Sequence, residues 1–160
     1  MNREVLEVLE KDAKATLKQI SAMTGLSVNQ VRKTIEEAEK NRVIIKYKTV
    51  INWGKLEEDR VQALIEVKIQ PQKDVGFDAI AERIYRFPEA RSVYLVSGAY
   101  DLAVFVVART EHDVAKFVSD KLASLESVQG TATHFFLKPY KEDGEILEGQ
   151  EKVRRQPLTL

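Results

Sequence analysis

Cysteine is absent from this sequence of 160 residues, which also contains only two histidines, four prolines and one tryptophan. Without cysteine the chain forms no disulfide, thiolate metal site, iron–sulfur cluster or cysteine nucleophile. Neither His112 nor His134 is accompanied by a second histidine, a nucleophile or a carboxylate pair at a spacing typical of a metal or catalytic site. The sequence therefore predicts no catalytic residue, no metal and no cofactor, and it disfavours an enzyme.

Long apolar stretches are also missing. No run approaches the roughly 20 apolar residues that span a bilayer, and the N-terminus has no apolar signal core. We therefore expect a soluble, cytoplasmic protein that makes no contact with a membrane. Its length suits one domain or two small ones, and is sufficient to bury a core without a metal or disulfide.

Charge of neither sign is in excess overall, with 25 basic and 25 acidic residues. The distribution is uneven, because residues 1–52 carry a net charge of +3 and residues 53–160 a net charge of −3. Between Ser27 and Lys48, six basic residues stand against three acidic ones. An ordinary solvated surface would account for this asymmetry, so it favours nucleic-acid binding only if the fold gathers the basic side chains together.

The first 40 residues contain three short segments in which apolar residues recur at helical spacing. Thr16 and Ser27 are suitable N-caps for the second and third segments, and Gly25 can adopt the positive φ of a tight corner between them. Residues 43–52 alternate β-branched and aromatic side chains with lysine, which predicts a strand or small hairpin. This order of elements is typical of a winged helix-turn-helix.

The second half alternates strand and helix patterns. Its elements, in chain order, are a strand at residues 61–69, a helix at 77–87, strands at 92–96 and 101–109, a helix at 114–125 and a strand at 128–140. A duplicated βαβ of this kind predicts a ferredoxin-like βαββαβ domain. The fold class is therefore α+β, with the helix-turn-helix first and the ferredoxin-like domain second.

The predicted sheet is apolar on both faces. In its third strand Leu102, Val104 and Val106 line one face, while Phe105 and Val107 line the other. Two helices cover only one face, and a monomer rarely exposes so large an apolar patch. We therefore predict that the second face is buried in an oligomer, most simply a twofold dimer of sheets.

These patterns divide the chain into four parts. The predicted boundaries are a winged helix-turn-helix at residues 1–52, a polar connector at 53–59, a ferredoxin-like domain for effector binding and oligomerisation at 60–140, and a polar tail at 141–160. The tail is charged and lacks periodicity, which fits a disordered segment or one that docks on a neighbouring subunit.

Double-stranded DNA is the partner that a helix-turn-helix predicts. In this motif the second helix of the pair, here the third helical segment, enters the major groove and places its N-terminal residues at the base edges. The candidate base contacts are Asn29, Gln30 and Lys33, because amides pair with adenine and lysine with guanine or phosphate. The candidate phosphate contacts are Ser27, Arg32 and Lys46. The alternative interpretation of this segment is a three-helix bundle with an ordinary solvated face.

A second candidate site is the turn between the second and third strands, residues 96–102. The simpler interpretation is a hairpin turn, in which glycine makes the bend and aspartate bonds nearby amides. The functional interpretation is a small-molecule site. There, free backbone amides would hold a carboxylate, Asp101 would face an ammonium group, and Tyr100 would wall the pocket.

Taken together, these motifs resemble the leucine-responsive regulator/AsnC (Lrp/AsnC) family of transcription factors over about residues 3 to 140. The resemblance is carried by five stretches: Ile20-Ser21-Ala22-Met23-Thr24-Gly25-Leu26-Ser27, Val31 to Ile35, Val43-Ile44 to Ile51-Asn52, Val96-Ser97-Gly98-Ala99-Tyr100-Asp101 and Thr131-Ala132-Thr133. The turn motif in a duplicated βαβ behind a helix-turn-helix is more specific than either half alone.

The resemblance implies a DNA-binding regulator whose C-terminal domain senses a small effector, typically an amino acid, in clefts between subunits. It also implies homodimers that in some members assemble further, to tetramers or octamers. The effector residues that it implies are Gly98, Ala99, Tyr100, Asp101, Thr131 and Thr133. His134 stands where the family commonly has an aliphatic residue, and the chain continues past the family's usual end.

One enzyme class also shares this architecture. Sirohaem decarboxylases resemble the same family, but they use histidines and arginines around a tetrapyrrole, including a histidine in the segment after the wing. Residues 49–56 of this sequence contain no histidine, so a regulator is the preferred interpretation.

Overall fold

Three N-caps define the helices of the first unit. In the computed structural model of the chain, which describes residues 2–56, 60–70 and 76–148, these helices are α1 (Arg3–Lys11), α2 (Leu17–Thr24) and α3 (Val28–Lys40). Asn2 caps α1, while Thr16 and Ser27 cap α2 and α3 through capping boxes, in which each cap accepts a glutamine N–H and that glutamine side chain accepts in return. The predicted caps Thr16 and Ser27 are confirmed.

The corner between α2 and α3 depends on Gly25, whose φ is +70°. That left-handed backbone is disfavoured for residues with a Cβ atom, so the predicted role of Gly25 is confirmed. The apolar sides of the three helices meet in one small core, whose buried members are Val5, Leu9, Ile20 and Val31. This core holds α3 in place and leaves its opposite side to the solvent.

The predicted strand at residues 43–52 is not formed. The backbone N–H groups of Val43 and Ile44 both bond to the Ala38 carbonyl, at 2.8 and 3.1 Å, and the rest of the segment has no regular secondary structure. A strand needs a hydrogen-bonded neighbour, and residues 2–51 contain no other strand. Four apolar side chains of this segment are consequently exposed, Ile45 by 68%, whereas Ile44 packs partly against the helical core.

The second unit begins at Asn52 and contains a four-stranded antiparallel sheet. Its elements are β1 (Val61–Ile69), α4 (Phe77–Tyr85), β2 (Ala90–Leu95), β3 (Leu102–Ala108), α5 (Glu111–Phe117), which continues in a π-helical turn (Val118–Leu122), and β4 (Val128–Phe135). The sheet order β2-β3-β1-β4 is that of the ferredoxin-like βαββαβ fold. The predicted fold is confirmed, although the last strand ends at Phe135 rather than at residue 140.

The central strand β1 pairs with β3 on one side and with β4 on the other. Its residues Ala63, Ile65 and Val67 are fully buried and pack with side chains of α4 and α5. Because side chains alternate across a strand, the intervening residues face away from the helices. We call this second side the open face, and its residues are Gln62, Leu64, Glu66, Tyr94, Ala103, Phe105, Val107, Ala132 and His134.

The predicted polar tail is partly structured. It begins with a hairpin of β5 (Lys141–Glu142) and β6 (Glu145–Ile146). Asp143 and Gly144 form its turn with φ of +47° and +88°, the signs that a type I′ turn requires and that Asp-Gly favours. This Asp-Gly signal was present in the sequence, so the expectation of disorder is wrong for residues 141–148, whereas docking on a neighbouring subunit stays a prediction. Residues 149–160 lie outside the described part.

The predicted connector at residues 53–59 begins within the second unit. Trp53–Lys55 form a single 3-10 turn, and the side-chain amide of Asn52 donates to the Leu147 carbonyl at 2.9 Å. This bond ties the start of the second unit to the hairpin at its end. Residues 57–59 are outside the described part. Nowhere in residues 2–56, 60–70 and 76–148 is a helix both long and apolar enough to span a membrane.

Candidate DNA-binding and effector sites

Helix α3 separates a buried side from an exposed one. Val31, Thr34 and Ala38 are its buried residues. The predicted DNA contacts are all exposed, and they are Ser27, Asn29, Gln30, Arg32, Lys33 and, beyond the helix, Lys46. Short polar side chains at the N-terminal end of an exposed helix are the arrangement that reads base edges in a major groove.

Two of these six residues are already engaged with each other. The Oε1 atom of Gln30 accepts from the Ser27 N–H at 2.9 Å and from the Ser27 hydroxyl at 2.8 Å, while the Gln30 N–H donates back to the hydroxyl at 3.3 Å. Gln30 therefore offers DNA its amide Nε2 as a donor, and a two-point contact with adenine requires that the capping box open. That both residues contact DNA stays a prediction.

The segment after α3 is attached to it by a hydrogen bond. The Tyr47 hydroxyl donates to Oε1 of Glu39 at 2.8 Å. Partial burial, and then this bond and the negative charge of Glu39, raise the pKa of Tyr47 above its usual range, so the hydroxyl keeps its proton. The bond holds the neighbouring Lys46 near the end of α3.

The predicted effector turn is fastened to β1 by Asp101. The Asp101 N–H donates to the Val67 carbonyl at 3.0 Å, and the Ile69 N–H donates to Oδ2 of Asp101 at 2.8 Å. The ammonium of Lys68 lies 3.3 Å from the same carboxylate oxygen. The Ile69 N–H and, secondarily, Lys68 lower the pKa of Asp101 against the opposing effect of desolvation.

These bonds show what Asp101 does within the protomer. Its carboxylate accepts a hydrogen bond at Ile69, where the register between β1 and β4 shifts. The hairpin-turn interpretation, in which aspartate bonds nearby amides, is therefore correct in kind, although the amide lies 32 residues away in the chain. Contact with an effector ammonium group stays a prediction for Asp101.

The other predicted effector residues lie around the same end of the sheet. Gly98 and Ala99 are exposed at the tip of the turn, and Tyr100 is half-buried. Thr131 lies opposite Val67 on β4, so it flanks β1 on the side away from the turn. Thr133 lies two residues further along, opposite Ile65. The structure thus brings the turn and Thr131 to one region, with Thr133 at its margin.

A row of aromatic rings crosses the open face. The rings of Tyr94 and Phe105 meet edge to face with centroids 6.0 Å apart, and the ring of Phe136 lies 6.1 Å from Phe105. Tyr94 is 56% exposed and Phe136 43% exposed. Within the row, Nε2 of His134 lies 3.3 Å from Oε1 of Glu66. The strand patterns predicted an apolar second face, and Phe136 is a further member of it that the prediction did not name.

The described ranges contain no candidate metal site. No group of three or more histidine, aspartate or glutamate side chains there could hold an ion. The groups that the two candidate sites offer are hydrogen-bond donors, acceptors and charges. Such groups can bind DNA and small polar molecules.

Two family models match the two units of the chain in order. Residues 1–45 match the model of a winged helix-turn-helix DNA-binding domain, and residues 62–146 match that of the Lrp/AsnC ligand binding domain. The first match contains α1 to α3, and the second contains the four-stranded sheet except for Val61, the first residue of β1.

Known relatives cover nearly the full chain. The HTH-type transcriptional regulator YugG of Bacillus subtilis is 48% identical over 95% of this chain and 92% of its own length, and the HTH-type transcriptional regulator FL11 of Pyrococcus furiosus is 30% identical over 91% and 93%. A Neisseria meningitidis transcriptional regulator, solved in complex with L-Met, has the same fold. Its TM-score is 0.71 at 23% identity, over 89% of this chain and 93% of that one.

The relatives and the family models agree with the architecture described above. Both named relatives are transcriptional regulators. The helix-turn-helix precedes the ligand-binding domain in the chain, as the two matches do. The chain therefore belongs to the Lrp/AsnC family of DNA-binding transcriptional regulators.

Proposed function

We propose that this protein binds specific DNA sequences as a homodimer and that an amino acid regulates this binding. The observation that carries the proposal is the exposed polar side of α3, which is held by a small apolar core and begins at a capped N-terminus. The side chains of Asn29, Arg32 and Lys33 have no hydrogen-bond or ion-pair partner among the described residues, so they are free to contact bases and phosphates.

The open face supports dimerisation. Tyr94, Phe105 and Phe136 form an exposed aromatic row across a sheet whose other side already packs on helices. Pairing two such faces about a twofold axis removes the rows from water. A dimer also supplies two recognition helices, which bind half-sites about one helical turn, or roughly 34 Å, apart. Tetramers or octamers would add further pairs.

The turn at the end of the sheet supports recognition of an amino acid. The backbone N–H groups of Gly98, Ala99 and Tyr100 have no partner among the described residues, so they can donate to a carboxylate. The carboxylate of Asp101 lies beside them and is complementary to an ammonium group. The solved relative in complex with L-Met is consistent with an amino acid of this kind.

The experiment is a footprint of the purified protein on its own promoter, with and without each amino acid that raises its melting temperature. A ligand that binds the native state alone raises that temperature by mass action. We expect paired protected half-sites, affinity that falls steeply with salt, and a change in affinity or spacing with one ligand. Absence of salt-dependent DNA binding contradicts the proposal.

The relatives named as regulators favour this function over the sirohaem decarboxylase that shares the architecture. Titration with a tetrapyrrole provides the separate test, because a bound tetrapyrrole changes its visible absorbance. We expect no saturable change, and a saturable one would support the enzyme.

A further inference from the structure

An open cleft of about 900 Å³ lies at the far end of the sheet from the turn at residues 97–101. Its lining includes Trp53, Arg60, Val107, Arg109, Thr110 and Asp113. Asp101 bonds to the last residue of β1, whereas Arg60 directly precedes its first residue. The nine residues of β1 span roughly 30 Å at about 3.3 Å per residue, so the two regions are separate.

Two arginines in the lining of this cleft are neighbours. Val61 pairs with Ala108 in the antiparallel ladder of β1 and β3, so Arg60 and Arg109, the next residues outward, are cross-strand neighbours. Like charges directly opposite each other in a sheet destabilise it. Among residues 2–56, 60–70 and 76–148, no carboxylate forms an ion pair with either guanidinium group, so nothing in the described part of the protomer relieves the repulsion.

Asp113 supplies the carboxylate in this lining, and that carboxylate forms part of the capping box of α5. Oδ2 of Asp113 accepts from the Thr110 N–H at 3.1 Å and from the Thr110 hydroxyl at 2.8 Å. These bonds complete the capping box of α5. Asp113 therefore stabilises the helix and forms no ion pair with Arg60 or Arg109.

Trp53 fixes the orientation of Arg60. The guanidinium carbon lies 4.4 Å from the centre of the indole ring. The Nε atom of Arg60 is buried, and it has no hydrogen-bond partner among the described residues. A buried donor without an acceptor costs free energy, and a stacked guanidinium presents its donors in the planar fork that matches carboxylate and phosphate oxygens.

We propose that this cleft binds a small molecule through an oxyanion, a carboxylate or phosphate group, held between Arg60 and Arg109. The bound anion would neutralise two adjacent positive charges and accept from the fork that Trp53 positions. The cleft is large enough for a metabolite-sized ligand. This site is distinct from the predicted amino-acid site, and the proposal does not depend on it.

Tryptophan fluorescence reports on this site, because Trp53 is the only tryptophan of the sequence and lies in the lining. The experiment titrates inorganic phosphate, and separately succinate, into the full-length protein while sodium chloride keeps the ionic strength constant. We expect a saturable change in tryptophan fluorescence with at least one of the two anions. Stronger binding of phosphate indicates a phosphorylated ligand, and stronger binding of succinate a carboxylate ligand.

Arginine variants test whether the signal comes from the cleft. Arg109→Gln removes one charge-assisted hydrogen-bond partner and should weaken anion binding about tenfold or more. Arg83→Gln is the matched control, since Arg83 is exposed on α4, and it should bind as the unchanged protein does. Circular dichroism verifies folding. If Arg109→Gln unfolds, Arg109→Lys replaces it and should weaken binding severalfold, because lysine lacks the planar fork.

Three results would overturn the proposal. The first is a fluorescence change that sodium chloride alone reproduces, which means general screening. The second is equal anion affinity in the folded Arg109 variant and the unchanged protein. The third is a response of Trp53 to duplex DNA but to neither anion, which would place the arginine pair on a DNA-binding surface.

Discussion

The carboxylate of Asp101 accepts a hydrogen bond from the backbone N–H of Ile69 at 2.8 Å. Through this bond the turn between β2 and β3 is fastened to the last residue of β1. A displacement of the turn would therefore also displace the end of β1, the central strand of the sheet. Asp101 therefore positions the turn that contains Gly98, Ala99 and Tyr100 against β1.

The first prediction separates two contributions of Asp101 to stability, namely its hydrogen bond with Ile69 and its charge attraction to Lys68. Asp101→Asn keeps an oxygen that can accept from Ile69, whereas Asp101→Ala leaves that N–H without its acceptor. We therefore expect Asp101→Ala to lower the urea midpoint clearly and Asp101→Asn to lower it less. Equal losses in the two variants would mean that the attraction to Lys68, rather than the hydrogen bond, stabilises the turn.

The lowered pKa of Asp101 predicts how acid affects stability. Since the pKa is lower in the folded than in the unfolded chain, the ionised group contributes stability above the unfolded value of about 3.9. That contribution is lost as the pH falls from there through the folded value. Urea unfolding between about pH 5 and pH 2.5 should show a smaller acid loss for Asp101→Asn. Parallel curves would contradict the lowered pKa.

The third prediction uses the two matching capping boxes. Glutamate keeps the acceptor oxygen that the box needs, so Gln30→Glu should fold normally but place a negative charge against the DNA. We expect its affinity for the operator to fall about tenfold or more. Gln19→Glu makes the same change in the box of α2 and is the control. Gel-shift titrations with both variants should show the loss for Gln30→Glu alone.

The fourth prediction concerns the open face. Tyr94→Lys places a charge in the aromatic row and should weaken self-association at least about tenfold, because a buried unpaired charge is costly. Tyr85→Lys is closely matched, since Tyr85 on α4 is 58% exposed and Tyr94 is 56% exposed. Sedimentation velocity over a concentration series measures both. Equal association of the two variants would exclude the open face as the dimer interface.

The fifth prediction tests the corner of the helix-turn-helix. A Cβ atom at Gly25 would meet no other atom within 4 Å, so the cost of Gly25→Ala comes from its φ of +70° alone. We expect a loss of about 1–2 kcal/mol in the free energy of unfolding. Gly130→Ala is the control, because Gly130 in β4 has no left-handed φ and equally open space around it, and it should not lower the free energy of unfolding, since alanine is more favourable than glycine within a strand.

Local chemistry in the sequence determined most of the secondary structure. Thr16 and Ser27 cap helices because their hydroxyls reach N–H groups only three residues away. Gly25 turns the chain because it alone lacks a Cβ atom there. The alternation from Val61 to Ile69 marked both ends of β1, and the duplicated βαβ pattern gave the ferredoxin-like topology. The caps, the glycine and the strand alternation each act over a few residues, so they can be recognised without knowing which elements pack together.

Tertiary structure alone decided which groups meet across the chain. Residues 43–52 have the pattern of a strand, but no partner strand is present among residues 2–51, so the pattern alone was insufficient to form a strand. Asp101 bonds to Ile69 because the fold brings together residues 32 positions apart. The pairing of Val61 with Ala108 likewise places Arg60 beside Arg109. Sequence periodicity does not predict such pairings, because they depend on the register between strands that are distant in the chain.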